Sequence, residues 1–153
     1  MDAPRPGGCL CGRVRYRLHG EPIAFYVCHC TDCQRETGSA FALSLVVPAD
    51  ALELVEGELR RVAVELPDGR TWCSMRCPEC GARVWSEPPK YPQVRNLRPG
   101  TLDDPRAFQP WGNIWTASAL PWVQLAPGPC FERQPGDPLA MVRAWRARPA
   151  GSA

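Results

Sequence analysis

The sequence lacks an excess of charge of either sign. Its 153 residues carry a formal net charge of +2, and no basic stripe is interleaved with aromatic residues. Nucleic-acid-binding proteins concentrate positive charge on one face to attract the phosphate backbone. We therefore expect no nucleic-acid partner.

Long apolar stretches are also missing. No run approaches the roughly 20 apolar residues that a membrane-spanning helix needs. The first six residues, Met1–Pro6, contain no apolar segment of the secretory type. We therefore expect a cytoplasmic protein with no membrane partner.

Internal repeats and interdomain linkers are absent as well, and 153 residues is an ordinary size for one domain. We predict one domain over residues 8–145, between an N-terminal tail of residues 1–7 and a C-terminal tail of residues 146–153. The C-terminal segment is small and polar, which is typical of a chain end that frays.

The hydrophobic pattern predicts a mainly β fold. Residues 13–18 alternate between polar and apolar, and Pro67-Asp68-Gly69 is a hairpin turn between two predicted strands. Further strands are predicted over residues 41–47, 52–55, 61–66, 70–75 and 82–86. Only residues 31–37 and 139–145 are predicted to form helices, and both are short.

Cysteine, in contrast, is abundant. The chain has nine cysteines, and seven of them lie in three tight clusters: Cys9 and Cys11; Cys28, Cys30 and Cys33; Cys77 and Cys80. An odd number leaves one thiol unpaired in any monomeric disulfide scheme, and disulfides need an oxidising compartment. The clusters therefore favour metal binding over disulfides.

The first and third clusters together supply four thiolates, which close a tetrahedral zinc site. Iron suits the same four sulfurs. The third cluster is a Cys-Pro-x-Cys-Gly knuckle, in which Gly81 allows a backbone conformation with positive φ. The knuckle and the upstream pair indicate a structural site that joins distant segments of the chain.

The middle cluster supplies three thiolates, one fewer than a closed tetrahedral site needs. Three protein ligands and an open position are typical of a catalytic zinc. Water, a substrate thiolate or a protein group could complete the site. The protein candidates are His29, Cys73, His19 and Cys130. His29 stands between two ligands and is expected to point away from them, Cys73 lies four residues before Cys77, and His19 and Cys130 are expected to be ordinary surface and core residues.

These motifs together resemble the glutathione-dependent formaldehyde-activating enzyme family, which also contains centromere protein V. The resemblance covers about Gly8 to Val123. Its segments are Gly8-Cys9-Leu10-Cys11-Gly12, Cys28-His29-Cys30-Thr31-Asp32-Cys33-Gln34-Arg35, Cys77-Pro78-Glu79-Cys80-Gly81, Gly100-Thr101-Leu102-Asp103-Asp104-Pro105 and Asn113-Ile114-Trp115.

The resemblance implies a β-tent fold of curved antiparallel sheets around a structural zinc. It implies that Cys9, Cys11, Cys77 and Cys80 hold this zinc and that the middle cluster holds a second one, giving two zinc ions per chain. The implied activity is the condensation of glutathione with formaldehyde. Two positions depart from the family pattern: Asn113 stands where histidine is frequent, and Arg76 stands where an aromatic residue is common.

The resulting hypothesis is a zinc-dependent carbon–sulfur lyase that acts on a small thiol such as glutathione and on an aldehyde. Arg35 is predicted to pair with a substrate carboxylate, unless it forms a surface salt bridge. Trp111, Asn113 and Trp115 are the other predicted substrate contacts, although core packing is the favoured explanation of the two tryptophans. The alternative is a zinc-stabilised binding module without chemistry. The sequence predicts no oligomeric state.

Overall fold

The computed structural model describes residues 3–150. Its contacts divide the chain into two compact units. The first contains the chain up to Pro22 and Val46–Arg106, and the second contains Ile23–Leu45 and the residues from Ala107 onward. This division does not test the single domain predicted over residues 8–145, which stays a prediction. Residues 1–2 and 151–153 of the two predicted tails lie outside the described residues.

The fold is mainly β, as predicted from the sequence. Its strands are β1 (Arg5–Gly8), β2 (Arg15–Leu18), β3 (Ala24–Cys28), β4 (Ala42–Pro48), β5 (Leu52–Glu56), β6 (Arg60–Glu65), β7 (Thr71–Arg76), β8 (Arg83–Ser86), β9 (Val94–Leu97), β10 (Asn113–Ile114) and β11 (Cys130–Phe131). Its α-helices are α1 (Thr31–Thr37) and α2 (Ala140–Arg146). Short 3₁₀ turns cover Ala49–Ala51, Pro99–Thr101 and Thr116–Ser118.

In the first unit, β1, β2 and β5 form a three-stranded antiparallel sheet. Tyr16 of β2 is buried, meets the Trp85 ring edge-to-face at 6.3 Å and shares a 2.8 Å hydrogen bond with the Thr101 hydroxyl. Gly7 of β1 is required here, because a Cβ at this position would collide with the Tyr16 ring and the Thr101 carbonyl. Residues 5–7, predicted as tail, are therefore part of the sheet.

The same unit contains β6, β7, β8 and β9, which pair in this order and are antiparallel throughout. The predicted hairpin connects β6 to β7, and Gly69 adopts a positive φ of 82° in it. This arrangement brings Cys77, just after β7, close to Val14 and Cys9 in a small buried cluster.

In the second unit, which contains β4 up to Leu45, the strand order is β11-β10-β3-β4. Strand β10 runs parallel to both β3 and β11. Helix α2 packs on β3, where the Phe25 and Trp145 rings lie 6.2 Å apart. Strand β3 ends at Cys28 and α1 begins at Thr31, so the middle cysteine cluster lies at a strand-to-helix junction.

Both helices are seven residues long. Within residues 3–150, no helix has the length and apolar character that crossing a membrane requires.

Candidate metal centres

The four-cysteine cluster of the first unit gathers two segments that are distant in sequence. The Sγ atoms of Cys9, Cys11, Cys77 and Cys80 all lie within 4.8 Å of one another. The Cys9–Cys11 and Cys11–Cys77 sulfur pairs are 3.5 and 3.8 Å apart. A zinc tetrahedron with Zn–S bonds of about 2.3 Å has edges of about 3.8 Å. The donor set and its spacing therefore fit a tetrahedral metal ion.

Two tight turns present these sulfurs. The Gly81 N–H donates to the Cys77 carbonyl at 3.0 Å, and Gly81 has the positive φ (72°) expected from the knuckle motif. On the other side, the Gly12 N–H donates to the Cys9 carbonyl at 3.1 Å, and the Val14 N–H donates to the Cys9 sulfur at 3.3 Å. Each turn thus aims its pair of sulfurs at a shared point.

Backbone donors and neighbouring thiols also set the acidity of these cysteines. Burial opposes ionisation of Cys9, but the Val14 N–H and the other three thiols outweigh it and lower the pKa of Cys9 to about 6. The Arg13 N–H favours ionisation of Cys11, yet burial and the neighbouring thiols raise the pKa of Cys11 to about 11. The cluster thus favours a negatively charged sulfur at its buried side, which suits a cation.

The three-cysteine cluster of the second unit is built within six consecutive residues. The Sγ atoms of Cys28, Cys30 and Cys33 lie within 4.8 Å of one another. Cys28 ends β3, Cys30 is the N-cap of α1, and Cys33 lies in the first turn of that helix. The Cys33 N–H donates to the Cys30 sulfur at 3.3 Å. The helix start therefore orients two of the three thiols.

The thiols of this cluster influence one another strongly. Hydrogen bonds from the Cys28 and Cys33 thiols, together with backbone N–H groups, lower the pKa of Cys30 to about 2. The Cys30 thiolate in turn raises the pKa of Cys28 to about 12, and both neighbours raise the pKa of Cys33. Three adjacent sulfurs cannot all ionise at neutral pH without a compensating cation. The cluster therefore has the electrostatic character of a metal-binding site.

No fourth His, Cys, Asp or Glu ligand joins these three sulfurs within residues 3–150. Cys73 is buried in the first unit, and its sulfur accepts a 2.9 Å hydrogen bond from Arg61. His19 is exposed and pairs with Glu53 at 2.8 Å. Cys130 is exposed rather than a core residue, in contrast to the prediction. The geometry therefore presents a three-thiol site.

His29, between two of the cysteines, is fully buried and points to an internal partner. Its Nε2 atom lies 3.1 Å from the Asn113 Oδ1 atom. The Ala126 N–H also donates to Asn113 Oδ1, at 3.2 Å, while Asn113 Nδ2 donates to the Ala126 carbonyl at 2.8 Å. These two backbone contacts fix the orientation of the carboxamide, so Oδ1 is the acceptor and His29 Nε2 carries a proton.

Asn113 therefore does not fit the predicted role of substrate contact. Its side chain is 0% exposed, and both of its polar atoms are bonded within the protein. It orients His29 instead. The sequence could not reveal this pair, because the two residues are 84 positions apart and meet through the parallel pairing of β10 with β3.

The backbone carbonyl of His29, like its ring, has hydrogen-bond partners within the protein. It accepts hydrogen bonds from Gln34 Nε2 and from the Ser118 hydroxyl, each at 2.9 Å. Gln34 Nε2 also donates to the Ser118 carbonyl at 2.9 Å. Gln34 and Ser118 were not predicted as site residues, although Gln34 lies inside the recognised motif. Together they fix the backbone between Cys28 and Cys30.

Arg35 lies in the last turn of α1, on the element that carries Cys33. Its side chain is exposed, and among residues 3–150 it makes no ion pair within 4.0 Å. The salt-bridge alternative is thus not seen, and a charged group remains open to solvent on the helix that carries the cluster.

The two predicted tryptophans differ. Trp111 is half-buried, and its indole packs closely against Gly128, which favours the packing alternative. Trp115 is half-buried and has a φ of 60°. A left-handed backbone at a bulky residue costs on the order of 1–3 kcal/mol and is concentrated at functional sites. Trp115 directly follows Ile114, the β-partner of Cys28, and remains the stronger candidate for a substrate contact.

Comparison with known proteins adds two findings. A sequence model of a family described as glutathione-dependent formaldehyde-activating enzyme matches residues 4–118. Among solved structures, a Rhodobacter sphaeroides protein aligns over 65% of this chain and 88% of its own, with 19% sequence identity and a TM-score of 0.50. At this level of identity the structural likeness concerns the fold alone.

Proposed function

The chain belongs to the glutathione-dependent formaldehyde-activating enzyme family, and from this premise we propose that it adds a small thiol such as glutathione to an aldehyde. The site is the three-cysteine cluster of the second unit. The four-cysteine cluster has the structural role of holding two distant segments together.

We propose zinc at both clusters, two ions per chain. Cys9, Cys11, Cys77 and Cys80 would hold the first ion, and Cys28, Cys30 and Cys33 would hold the second. When bound to three thiolates, zinc supplies a soft Lewis acid that lowers the pKa of a further thiol.

The single observation that carries this proposal is the convergence of three thiols without a fourth protein ligand among residues 3–150. A closed structural site would need four ligands. The hydrogen bonds of His29 with Asn113, Gln34 and Ser118 hold the backbone between Cys28 and Cys30 in place. Such a pre-organised site loses little entropy when a substrate sulfur arrives.

The residues of this chain would act mainly by positioning. Arg35 offers a guanidinium for a substrate carboxylate, which it can bind with two parallel hydrogen bonds. Trp115 offers an aromatic face beside the segment that carries Cys28. In the reaction the thiol sulfur forms a bond to the aldehyde carbon, the carbonyl π bond breaks, and the thiol proton ends on the oxygen. The product is a hemithioacetal, and no oxidant is consumed.

The addition also proceeds without a catalyst, so the rate of exchange at equilibrium is the suitable measurement. We expect the zinc-loaded protein to accelerate exchange between glutathione and its formaldehyde adduct in a magnetisation-transfer NMR experiment. Cys30→Ser should abolish the acceleration. Cys73→Ser, which removes a buried thiol outside both clusters, should retain it.

A loaded wild-type protein that leaves the exchange rate unchanged would contradict the enzyme proposal. Binding of glutathione without faster exchange would favour the binding-module alternative. All nine cysteines are free thiols in the structure, and we propose that the protein works in a reducing cytoplasm.

A further inference from the structure

Strand β6 is the last strand of its sheet. It pairs with β7 on one side. Within residues 3–150, no other strand pairs with its second side, and no backbone hydrogen bond reaches that side. Five of its six residues are exposed. An open strand edge of this length is a template for pairing with another chain.

The hairpin geometry determines which backbone groups face outward. The Leu66 N–H donates to the Arg70 carbonyl at 2.8 Å, so this pair is a hydrogen-bonded one. In an antiparallel ladder such pairs alternate with pairs that are not hydrogen-bonded. Val64 and Val62 therefore also bond to β7. Arg61, Ala63 and Glu65 direct their N–H and C=O groups to the open edge.

The sequence of this edge is symmetric about Ala63. Reading Arg61-Val62-Ala63-Val64-Glu65 in either direction gives the same apolar residues, with opposite charges at the two ends. Two copies of such a strand placed antiparallel would match valine with valine and arginine with glutamate. The same copies placed parallel would match arginine with arginine and glutamate with glutamate.

We propose that the open edge of β6 binds β6 of a second copy of this chain, in an antiparallel pair with Ala63 opposite Ala63. A two-fold axis that relates antiparallel strands stands perpendicular to the sheet, so residues on the same face of each strand oppose one another. Arg61 and Glu65 lie on one face, and Val62 and Val64 lie on the other. The register centred on Ala63 meets this condition.

This register uses the outward backbone groups completely. Ala63 with Ala63, and Arg61 with Glu65 at both ends, are the pairs that exchange backbone hydrogen bonds across the axis. Val62 and Val64 then form the closer, non-hydrogen-bonded pairs, in which side chains contact best. Val64 is 48% exposed in the single chain, so its burial adds apolar contact.

The charged residues at the two ends of this segment, Arg61 and Glu65, are also available for the contact. Arg61 is held by hydrogen bonding to the Cys73 sulfur at 2.9 Å and by Glu87 at 3.5 Å, and 56% of its side chain remains exposed. Glu65 is exposed and has no ion pair within residues 3–150. In the dimer, Arg61 of each copy would pair with Glu65 of the other, so each glutamate would gain an ion-pair partner. Because one strand pair is a small interface, the association should depend on concentration.

The test is sedimentation equilibrium of the zinc-loaded chain from micromolar to millimolar concentration. We expect a monomer–dimer equilibrium. Glu65→Arg places like charges opposite each other at both ends and should raise the dimer dissociation constant at least about tenfold. Glu132→Arg makes the same charge change outside β6 and should have no such effect.

A mixing experiment distinguishes this contact from any other. Arg61→Glu and Glu65→Arg each create like-charge pairs in their own dimers, but a mixture of the two restores both opposite-charge pairs. The mixture should form heterodimers where each variant alone is monomeric. Circular dichroism would verify that Arg61→Glu, which loses internal contacts, is folded.

Ala63→Pro is the second variant. It removes an N–H that faces away from β7, a position at which an edge strand tolerates proline. It should abolish the dimer and leave the monomer folded. A wild-type chain that stays monomeric at millimolar concentration would overturn the proposal, as would a dimer that survives both Glu65→Arg and Ala63→Pro.

Discussion

The two cysteine clusters use the same ligand type but differ in how the chain assembles them. The four-cysteine cluster joins Cys11 to Cys77, which are 66 residues apart. The three-cysteine cluster lies within one strand-to-helix junction. His29, between Cys28 and Cys30, accepts hydrogen bonds from Gln34 and Ser118 at its carbonyl and donates one to Asn113. A metal ion in the first cluster closes a long loop, whereas an ion in the second cluster closes none.

Because of this difference, we expect the first cluster to contribute to stability and the second to contribute to reactivity. A ligand that closes a long loop contributes to folding, because the unfolded chain does not contain the site. A site whose ligands all lie in one short segment closes no long loop, so it can exchange a ligand at little cost to the fold. The first cluster is therefore suited to holding the structure together, and the second is suited to binding a substrate.

The largest expected effect is that of Cys80→Ser. Structural zinc binding in small peptides is worth about 10–16 kcal/mol, so loss of one ligand should unfold the first unit or lower its melting temperature strongly. Cys30→Ser should leave a folded protein. Thermal unfolding by circular dichroism and metal analysis would check both variants, with two zinc ions expected in the wild type and one in Cys30→Ser. Equal melting-temperature shifts would refute the division of roles.

Arg35→Ala tests the reactive cluster without touching its ligands. A charge-assisted hydrogen bond to a carboxylate is worth about 1.5–3 kcal/mol. The affinity for 3-mercaptopropionate should therefore fall about tenfold or more, with metal content unchanged. The affinity for 2-mercaptoethanol, which has no carboxylate, should stay the same. Titration calorimetry measures both, and an equal loss for the two thiols would remove Arg35 from the site.

Asn113→Ala tests the hydrogen bonds that hold His29, and with it the three-cysteine cluster, in the second unit. The variant leaves the His29 N–H and both Ala126 backbone groups without their partner. An unsatisfied buried group such as the His29 N–H costs about 1–3 kcal/mol. Faster hydrogen exchange is expected at the amides of Ala126 and β10, with the first unit unaffected. Unchanged protection at Ala126 would show that Asn113 does not support the cluster.

Asp103→Asn should have the smallest effect. Asp103 forms a hydrogen-bonded ion pair with Arg15, and this contact lowers the pKa of the Asp103 carboxyl group. Both side chains are partly exposed, so we expect a cost of about 0.2–1 kcal/mol at neutral pH.

The pH dependence of this cost follows from the sign of the shift. A lowered folded-state pKa gives stability that is present above the unfolded pKa of about 4 and lost below it. The cost of Asp103→Asn should therefore be constant between pH 8 and pH 5 in urea unfolding. A cost that decreases over this range would contradict the assignment.

The sequence predicted those parts of the molecule that depend on local chemistry. Helix α1 has the bounds that were predicted, because Cys30 caps its start and Gly38, with a φ of 65°, ends it. The strands flanking Pro67-Asp68-Gly69 were also found within one residue of the prediction. Cysteine spacing predicted the two groups of sulfurs that the fold brings together.

The remaining parts depend on contacts between distant residues. Strand β1 contains Pro6, Gly7 and Gly8, which disfavour strand structure, and it forms because Gly7 fits against Tyr16. Strands β10 and β11 have two residues each, too few for a periodic pattern. Their parallel pairing places Asn113 beside His29, and no spacing rule indicates this contact.

The measurement that tests the central claim most directly is the absorption spectrum of the cobalt-substituted protein during titration with a small thiol. If the three-cysteine cluster has an open position, the sulfur-to-metal charge-transfer band should grow as a fourth thiolate binds. The growth should increase with pH, because the incoming thiol must lose its proton. It should vanish in Cys30→Ser and persist in Cys73→Ser. A spectrum that already shows four sulfurs at this cluster and does not respond to thiol until Cys73 is removed would contradict the account.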